Sequence, residues 1–133
     1  MSLTAVRFLS LANVLAIHDD TLAAEGGCTG VRDWALLESA IEMPRAMFGG
    51  VYFHAGLAEQ AAALHFHLYQ NHTFVDGNKR VAAFAAVLFL TLNGIPEETL
   101  PSPEGLESVT LALADGAMTK AELTAWWLQT LRP

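Results

Sequence analysis

The stretch His72-Thr73-Phe74-Val75-Asp76-Gly77-Asn78-Lys79-Arg80-Val81-Ala82-Ala83-Phe84-Ala85-Ala86-Val87-Leu88-Phe89-Leu90-Thr91-Leu92 joins a charged turn to a segment that is apolar nearly all round. A surface helix carries an apolar stripe on one face, whereas a helix apolar on every side belongs at the centre of a domain. The pattern therefore predicts a central helix over Asn78–Leu92, stopped by Asn93-Gly94, where a left-handed residue ends helices readily. Its apolar run, Val81 to Leu92, is 12 residues long. Spanning a bilayer takes roughly 20, so this is a core helix and not a membrane segment.

Working outward, the preceding segment from Leu57 to Asn71 repeats apolar residues at Leu57, Ala61, Leu64 and Leu68, the spacing of a helix stripe. Further upstream, Ser10 caps a helix over Leu11–Glu25 with Leu11, Val14, Leu15 and Leu22 on one face, closed by Gly26-Gly27. Asp33 caps another over Trp34–Met43, which Pro44 discourages from continuing, with Leu37 and Ile41 pointing inward. Downstream, Ser102-Pro103 is a cap followed by a first-turn proline, and Thr119-x-x-Glu122 is a capping box. Few segments alternate with period two. The fold class is all-α, a compact helical bundle around one central apolar helix, in a single domain spanning residues 1–133.

Composition narrows the function classes. The chain has 133 residues, 53% of them hydrophobic and 16% charged, enough apolar surface to exclude intrinsic disorder. The single Cys28 rules out an intramolecular disulfide. Seven basic residues against 14 acidic give a net charge of −7, which argues against a sequence-independent nucleic-acid binder. Residues Met1–Ser10 show no apolar core of a signal peptide, so a cytoplasmic location with no membrane partner is expected.

Chemistry concentrates in His72–Arg80, where an imidazole, a carboxylate, an amide and two cations share nine residues at a helix entrance. A helix N-terminus offers unpaired N–H groups and the positive end of the helix dipole, which together attract anions. Gly77 lets the backbone adopt positive φ and curl around a phosphate. Lys79 and Arg80 are the only Lys or Arg between Arg45 and Lys120, so positive charge is focused on this turn. Histidine is the side chain type whose ordinary pKa lies nearest neutrality, so His72 suits a general base, Asp76 suits Mg²⁺, and Phe74 turns inward to pin the loop. Together these parts fit phosphoryl or nucleotidyl transfer, in which catalysis is mostly positioning and charge stabilisation.

The run His72-Thr73-Phe74-Val75-Asp76-Gly77-Asn78-Lys79-Arg80 resembles the altered motif HxFx(D/N)GNKR of the death-on-curing (Doc) branch of the Fic/Doc family. Ile17-His18-Asp19, Gly26-Gly27, Leu37–Ile41 and Asn93-Gly94 also look like features of that branch, so the resemblance runs from about Arg7 to Ala114. It implies a Fic/Doc-type helical bundle acting as the toxin of a toxin–antitoxin pair, with ATP and Mg²⁺ as cofactors. By resemblance, His72 is the general base, Asp76 binds Mg²⁺, Gly77 and Asn78 cradle phosphates, Lys79 and Arg80 neutralise them, and Phe74 is the buried anchor. A neutralising antitoxin helix in a groove of the domain and a translation factor such as elongation factor Tu are the implied partners.

Two departures from the broader pattern HPFxxGNGRxxR decide between reactions. Lys79 stands where AMP-transferring members have a second glycine, and Ala83 where they have a second arginine. Both look like the Doc branch, in which ATP is understood to bind reversed and its γ-phosphate passes to a threonine of elongation factor Tu. A protein kinase is thus favoured over an AMP transferase. An inactive Fic fold kept as a binding module is the non-enzyme alternative, against which the complete motif weighs.

Other patterns have plainer readings. His65-x-His67 invites a metal site, but residues two apart on a helix face different ways, so structural or solvated histidines are expected. His18-Asp19 matches only two residues of the HD-type metal phosphohydrolases; His18 reads as a helix residue near the active groove. Thr21-x-x-x-Glu25-Gly26 fits the inhibitory pattern (S/T)xxxE(G/N) of some Fic proteins, but its usual arginine partner is Ala83 here, so the match reads as accidental. Gly49-Gly50-Val51-Tyr52-Phe53 reads either as the family's target-pairing flap or as an ordinary loop with its aromatics tucked in. Trp126-Trp127 cannot both face inward.

Overall fold

The computed structural model describes residues 5–132. Their elements, in order, are α1 (Leu11–Glu25), α2 (Trp34–Glu42), a 3₁₀ turn (Met43–Arg45), β1 (Met47–Phe48), β2 (Val51–Tyr52), α3 (Leu57–Gln70), α4 (Asn78–Leu92), a second 3₁₀ turn (Glu97–Thr99), α5 (Pro103–Ala114) and α6 (Lys120–Thr130). The molecule is a helical bundle with one short hairpin, as the apolar periodicities require. None of these helices is long and apolar enough to cross a membrane.

Helix starts follow their caps. Ser10 accepts from the Asn13 amide while Asn13 accepts from the Ser10 amide, and Thr119 and Glu122 do the same at α6. Asp33 accepts from the Leu36 amide and Ser102 from that of Gly105. Each such cap stabilises its helix by about 1 kcal/mol. After α2, Pro44 tightens the last turn into 3₁₀ geometry, so the α-helix ends at Glu42, one residue before the expected Met43.

The core is built on two neighbouring helices. α4 lies between α3, α1 and α5, as its apolar sequence requires, and α3 shares the central place by packing also against α2, α6 and the first 3₁₀ turn. Ala61 and Ala62 of α3 and Ala82, Ala85 and Ala86 of α4 are all fully buried. Alanine leaves little side chain between backbones, so these helices pack closely along their length. One side of α4 stays open, where Phe84 remains 47% exposed.

His65, in the middle of α3, shows why a polar residue can sit in that core. The Trp127 Nε1–H donates to its Nδ1 at 3.1 Å, which leaves the proton on Nε2 to donate to Thr110 Oγ1 at 2.9 Å. The Thr110 hydroxyl donates onward to the Leu106 carbonyl, completing the chain. His65 is thus a structural histidine that ties α3 to α5 and α6. Trp127 is fully buried and Trp126 only half-buried, as the helical period demands.

The segment Met47–Tyr52 is the hairpin and not a plain loop. Met47 pairs with Tyr52 and Phe48 with Val51, across Gly49 and Gly50, whose positive φ of 58° and 80° supplies the tight hairpin turn. Tyr52 folds back onto Phe8, whereas Phe48, Val51 and Phe53 point outward, Phe48 being 85% exposed.

Candidate functional site

The loop between α3 and α4 begins at His72 in an unusual conformation. Its φ is +48°, making it the one non-glycine residue with positive φ among the described residues. Histidine tolerates that region better than most residues, yet such a backbone persists only where its surroundings hold it. Here the His72 amide donates to the Tyr69 carbonyl, and the Arg32 Nε–H donates to the His72 carbonyl at 2.8 Å. The ring Nδ1 lies 3.2 Å from the Gln70 carbonyl, an acceptor, so Nδ1 carries the proton and Nε2 the lone pair. The residue is exposed and borders a cavity.

The following residues are strapped down. Thr73 accepts from the amides of Arg32 and Asp33, Val75 donates to Gly30, and Val31 bridges Phe74. The Phe74 ring is buried, stacked on His18 at 4.0 Å between centroids. Phe74 is therefore the inward anchor that its place between polar residues predicts. The segment 30–33 before α2 and His18 of α1 together hold the loop from both sides.

Asp76 and Gly77 make the turn into α4. The His18 Nε2–H donates to the Asp76 carbonyl at 2.9 Å, which fixes this backbone through a buried imidazole. The Asp76 carboxylate accepts from the amides of Gly77 and Cys28, at 3.0 and 3.3 Å. Gly27 makes this approach possible: a Cβ there would lie 2.7 Å from Asp76 Oδ2. Gly77, at φ +85°, is the left-handed N-cap and offers no side chain, so among the described residues no cap side chain satisfies the first amides of α4. Those amides and the Lys79 and Arg80 side chains surround the same opening.

The Asn78 side chain is engaged within the loop. Its Oδ1 accepts from the Phe74 amide at 3.0 Å and its Nδ2 donates to the Phe74 carbonyl at 2.9 Å. Both ends of the carboxamide are occupied in clasping the loop. The residue borders the cavity but acts on it by shaping the turn.

His72, Asp76, Gly77, Asn78, Lys79 and Arg80 thus line one cavity of about 520 Å³, closed on the other side by Thr21, Glu25, Gly26 and Gly27 of α1 and its C-terminal turn. Glu25 forms an ion pair with Arg80. The partner is not the residue at position 83, which is alanine, but Arg80 one turn earlier on α4. Sequence reasoning also missed His18 as the support of Asp76, although its place four residues after Val14 puts both on the buried face of α1. Arg32 carried no signal, since its partner is a backbone carbonyl 40 residues away.

Asp76 brings to the cavity a carboxylate, the ligand type that divalent cations take. Mg²⁺ commonly takes one or two carboxylates, with phosphates and water completing its shell. Asp76 is a carboxylate held in place by two amides at the mouth of an anion-attracting turn, which fits that requirement. Among the described residues no cluster of three His, Cys, Asp or Glu forms a cage of its own.

A family model described as the Fic/DOC family matches residues 8–90, more than half of the chain. The chain belongs to this family. It is similar to a protein of Mycolicibacterium smegmatis (strain ATCC 700084 / mc(2)155) described as Toxin Doc, 47% identical over 72 residues, covering 54% of this chain and 55% of that protein. It is also similar to a protein of Escherichia phage P1 described as Protein kinase doc, 31% identical over 114 residues, 86% of this chain and 87% of that one. The match thus spans about half of the first relative and most of the second, and both place the chain on the Doc-toxin-like branch.

Proposed function

We propose that this protein is a death-on-curing-type toxin that transfers a phosphoryl group from ATP to a hydroxyl of a target protein. The observation that carries the reading is the convergence of His72, Asp76, Lys79 and Arg80 on one cavity at an uncapped helix N-terminus. ATP-dependent transfer to a protein also accords with the description of the phage relative.

In this reading the triphosphate lies over Gly77 and the first turn of α4, held by backbone amides, Lys79 and Arg80. Asp76 holds Mg²⁺, which offsets phosphate charge when bound. With its proton on Nδ1, His72 presents Nε2 to the attacking hydroxyl and removes its proton as the new O–P bond forms. The bond from the γ-phosphorus to the bridging oxygen breaks, and ADP departs with its new charge facing Arg80 and the α4 amides. Exposed His72 then returns its proton to water. Phe74, Asn78, His18 and Arg32 hold this geometry without touching substrate, and orientation of this kind accounts for much of the rate in phosphoryl transfer.

The finer assignments follow from the same reading. The chain acts as a single domain in the cytoplasm, its target is a translation factor such as elongation factor Tu, and a helical segment of a cognate antitoxin neutralises it. The outward-facing hairpin at Phe48–Val51 is the surface for a target segment, which could add to it as a further strand and cover the exposed Phe48 and Val51.

The test uses purified wild type and His72→Ala with Mg²⁺, a bacterial lysate and ATP labelled at the α or the γ phosphate. Transfer from γ alone, lost in the variant, is expected, and the labelled band identifies the target. Label from α establishes AMP transfer instead, and no label from either overturns the transferase reading.

A further inference from the structure

Tyr69, in the last turn of α3, borders the same cavity as His72 but takes no part in the transfer described above. Its half-buried ring lies against the His72 imidazole, 5.0 Å between centroids with the planes tilted by 59°. The two residues are joined through the backbone as well. The Tyr69 carbonyl accepts from the His72 amide at 3.1 Å, closing the turn in which His72 stands at φ +48°. That turn brings the His72 side chain back onto the end of the helix.

His72 has need of such a neighbour. Its side chain is exposed, and the hydrogen bond from Nδ1 to the Gln70 carbonyl, at 3.2 Å, fixes one atom of the ring. The imidazole can still pivot about that bond, which carries Nε2 along an arc and away from an attacking hydroxyl. A contact elsewhere on the ring is required to fix its plane, and the Tyr69 ring lies where it closes one side of that arc. Tyr69 is delivered from a rigid element, since Leu64, His65 and Leu68 of the same helix are sealed in the core, and side chains on such elements are placed more precisely than those on loops.

We propose that Tyr69 is a positioning residue for His72, its ring holding the imidazole plane so that Nε2 meets the hydroxyl to be phosphorylated. The proposal rests on the reading of His72 as the general base. Because the contact is ring to ring, phenylalanine serves in place of tyrosine and an aliphatic side chain does not. Tyr69 acts through His72, so its loss shows in the rate of transfer and not in the ATP requirement.

The experiment follows γ-label transfer to the lysate target against ATP concentration, together with the nuclear magnetic resonance signals of the His72 ring, which are the ones missing from His72→Ala. Tyr69→Leu and Tyr69→Met are each expected to lower the maximal rate about tenfold at an unchanged ATP requirement, the scale of a modest misplacement of a reacting group. Both are expected to shift the His72 signals as the neighbouring ring current is lost, whereas Tyr69→Phe keeps rate and signals near wild type. The proposal is overturned if the aliphatic variants leave the rate unchanged, or if the rate falls while the His72 signals stay in place. It is overturned too if Tyr69→Phe loses as much as Tyr69→Leu, which assigns the role to the hydroxyl, or if the ATP requirement rises at an unchanged maximal rate, which makes Tyr69 a nucleotide contact. Each of these leaves the base reading standing. Full transfer by His72→Ala, or none by wild type, overturns the base reading and this inference together.

Discussion

His65 and His72 lie two helical turns apart along the chain, one inside α3 and one just past its end, and the fold gives them opposite chemistry. His65 is sealed, with Trp127 on one ring nitrogen, Thr110 on the other, and a pKa pushed down to about 3 by burial. His72 is exposed at the border of a cavity, with Nδ1 on a backbone carbonyl. The first is a structural cross-link and the second an available base. Residue type alone thus says little about what a histidine does; the count of ring nitrogens left without a partner says more.

Replacing each histidine separates the two roles. His72→Ala is expected to lower transfer from ATP by about a thousandfold, the scale of a lost general base, while its urea unfolding midpoint stays near wild type. His65→Leu is expected to do the reverse. It leaves the buried Trp127 N–H without an acceptor and costs about 3 kcal/mol of stability, read from urea unfolding, with activity at low temperature retained. If His65→Leu abolished transfer in a protein still folded, the division between the two would be wrong.

Acidity sharpens the same contrast. His67 is held down to about 4 by burial and by the Lys120 ammonium, which also lies against His54 with Glu59 nearby, and burial holds His65 near 3. Both values lie below the 6.5 of an unfolded histidine. The unfolded chain therefore takes up protons first as pH falls below about 6.5, and stability is lost progressively until the folded-state values near 4 and 3 are passed. Unfolding of wild type from pH 7 to pH 4 is expected to show this decline, and His65→Leu a shallower one. Equal slopes would mean that His65 does not contribute.

How much of this was legible in the sequence differs between fold and site. Caps, prolines and apolar spacing gave the helices within a residue or so, because those signals act over one turn of chain. The place of α3 beside α4 was less visible, since alanine and histidine weaken an apolar stripe without preventing burial. The cluster from His72 to Arg80 is contiguous, so its convergence on one cavity was legible from its composition. What supports it is scattered: His18, Gly27, Arg32 and Glu25 reach it from elsewhere, through a carbonyl, a close approach and an ion pair. Asn78 shows the converse, a motif residue bordering the cavity whose side chain also clasps the loop through Phe74.

His18 tests that scaffold. His18→Phe preserves the stack on Phe74 but removes the donor to the Asp76 carbonyl. Transfer is expected to fall about tenfold, with a higher Mg²⁺ requirement and a stability loss of about 1 kcal/mol. An unchanged Mg²⁺ dependence would mean that His18 does not position Asp76.

The smallest effect expected comes from Glu25, and its sign is the informative part. Its carboxylate holds the Arg80 guanidinium at the edge of the cavity, so an incoming polyanion competes with Glu25 for that cation and is repelled by it. Glu25→Gln removes both penalties. Because both side chains are about half exposed, the pair is screened and contributes at most about 1 kcal/mol, which corresponds to tripolyphosphate binding roughly twofold to fivefold tighter in the variant. The gain should shrink as salt is raised from 0.05 to about 0.5 M, since screening weakens exposed pairs first. Weaker binding in Glu25→Gln would show that the carboxylate positions Arg80 for the phosphates instead of withholding it. The helix α1 would then belong to the same scaffold as His18, and the match to the inhibitory pattern at Thr21, Glu25 and Gly26 would carry no restraint on the site.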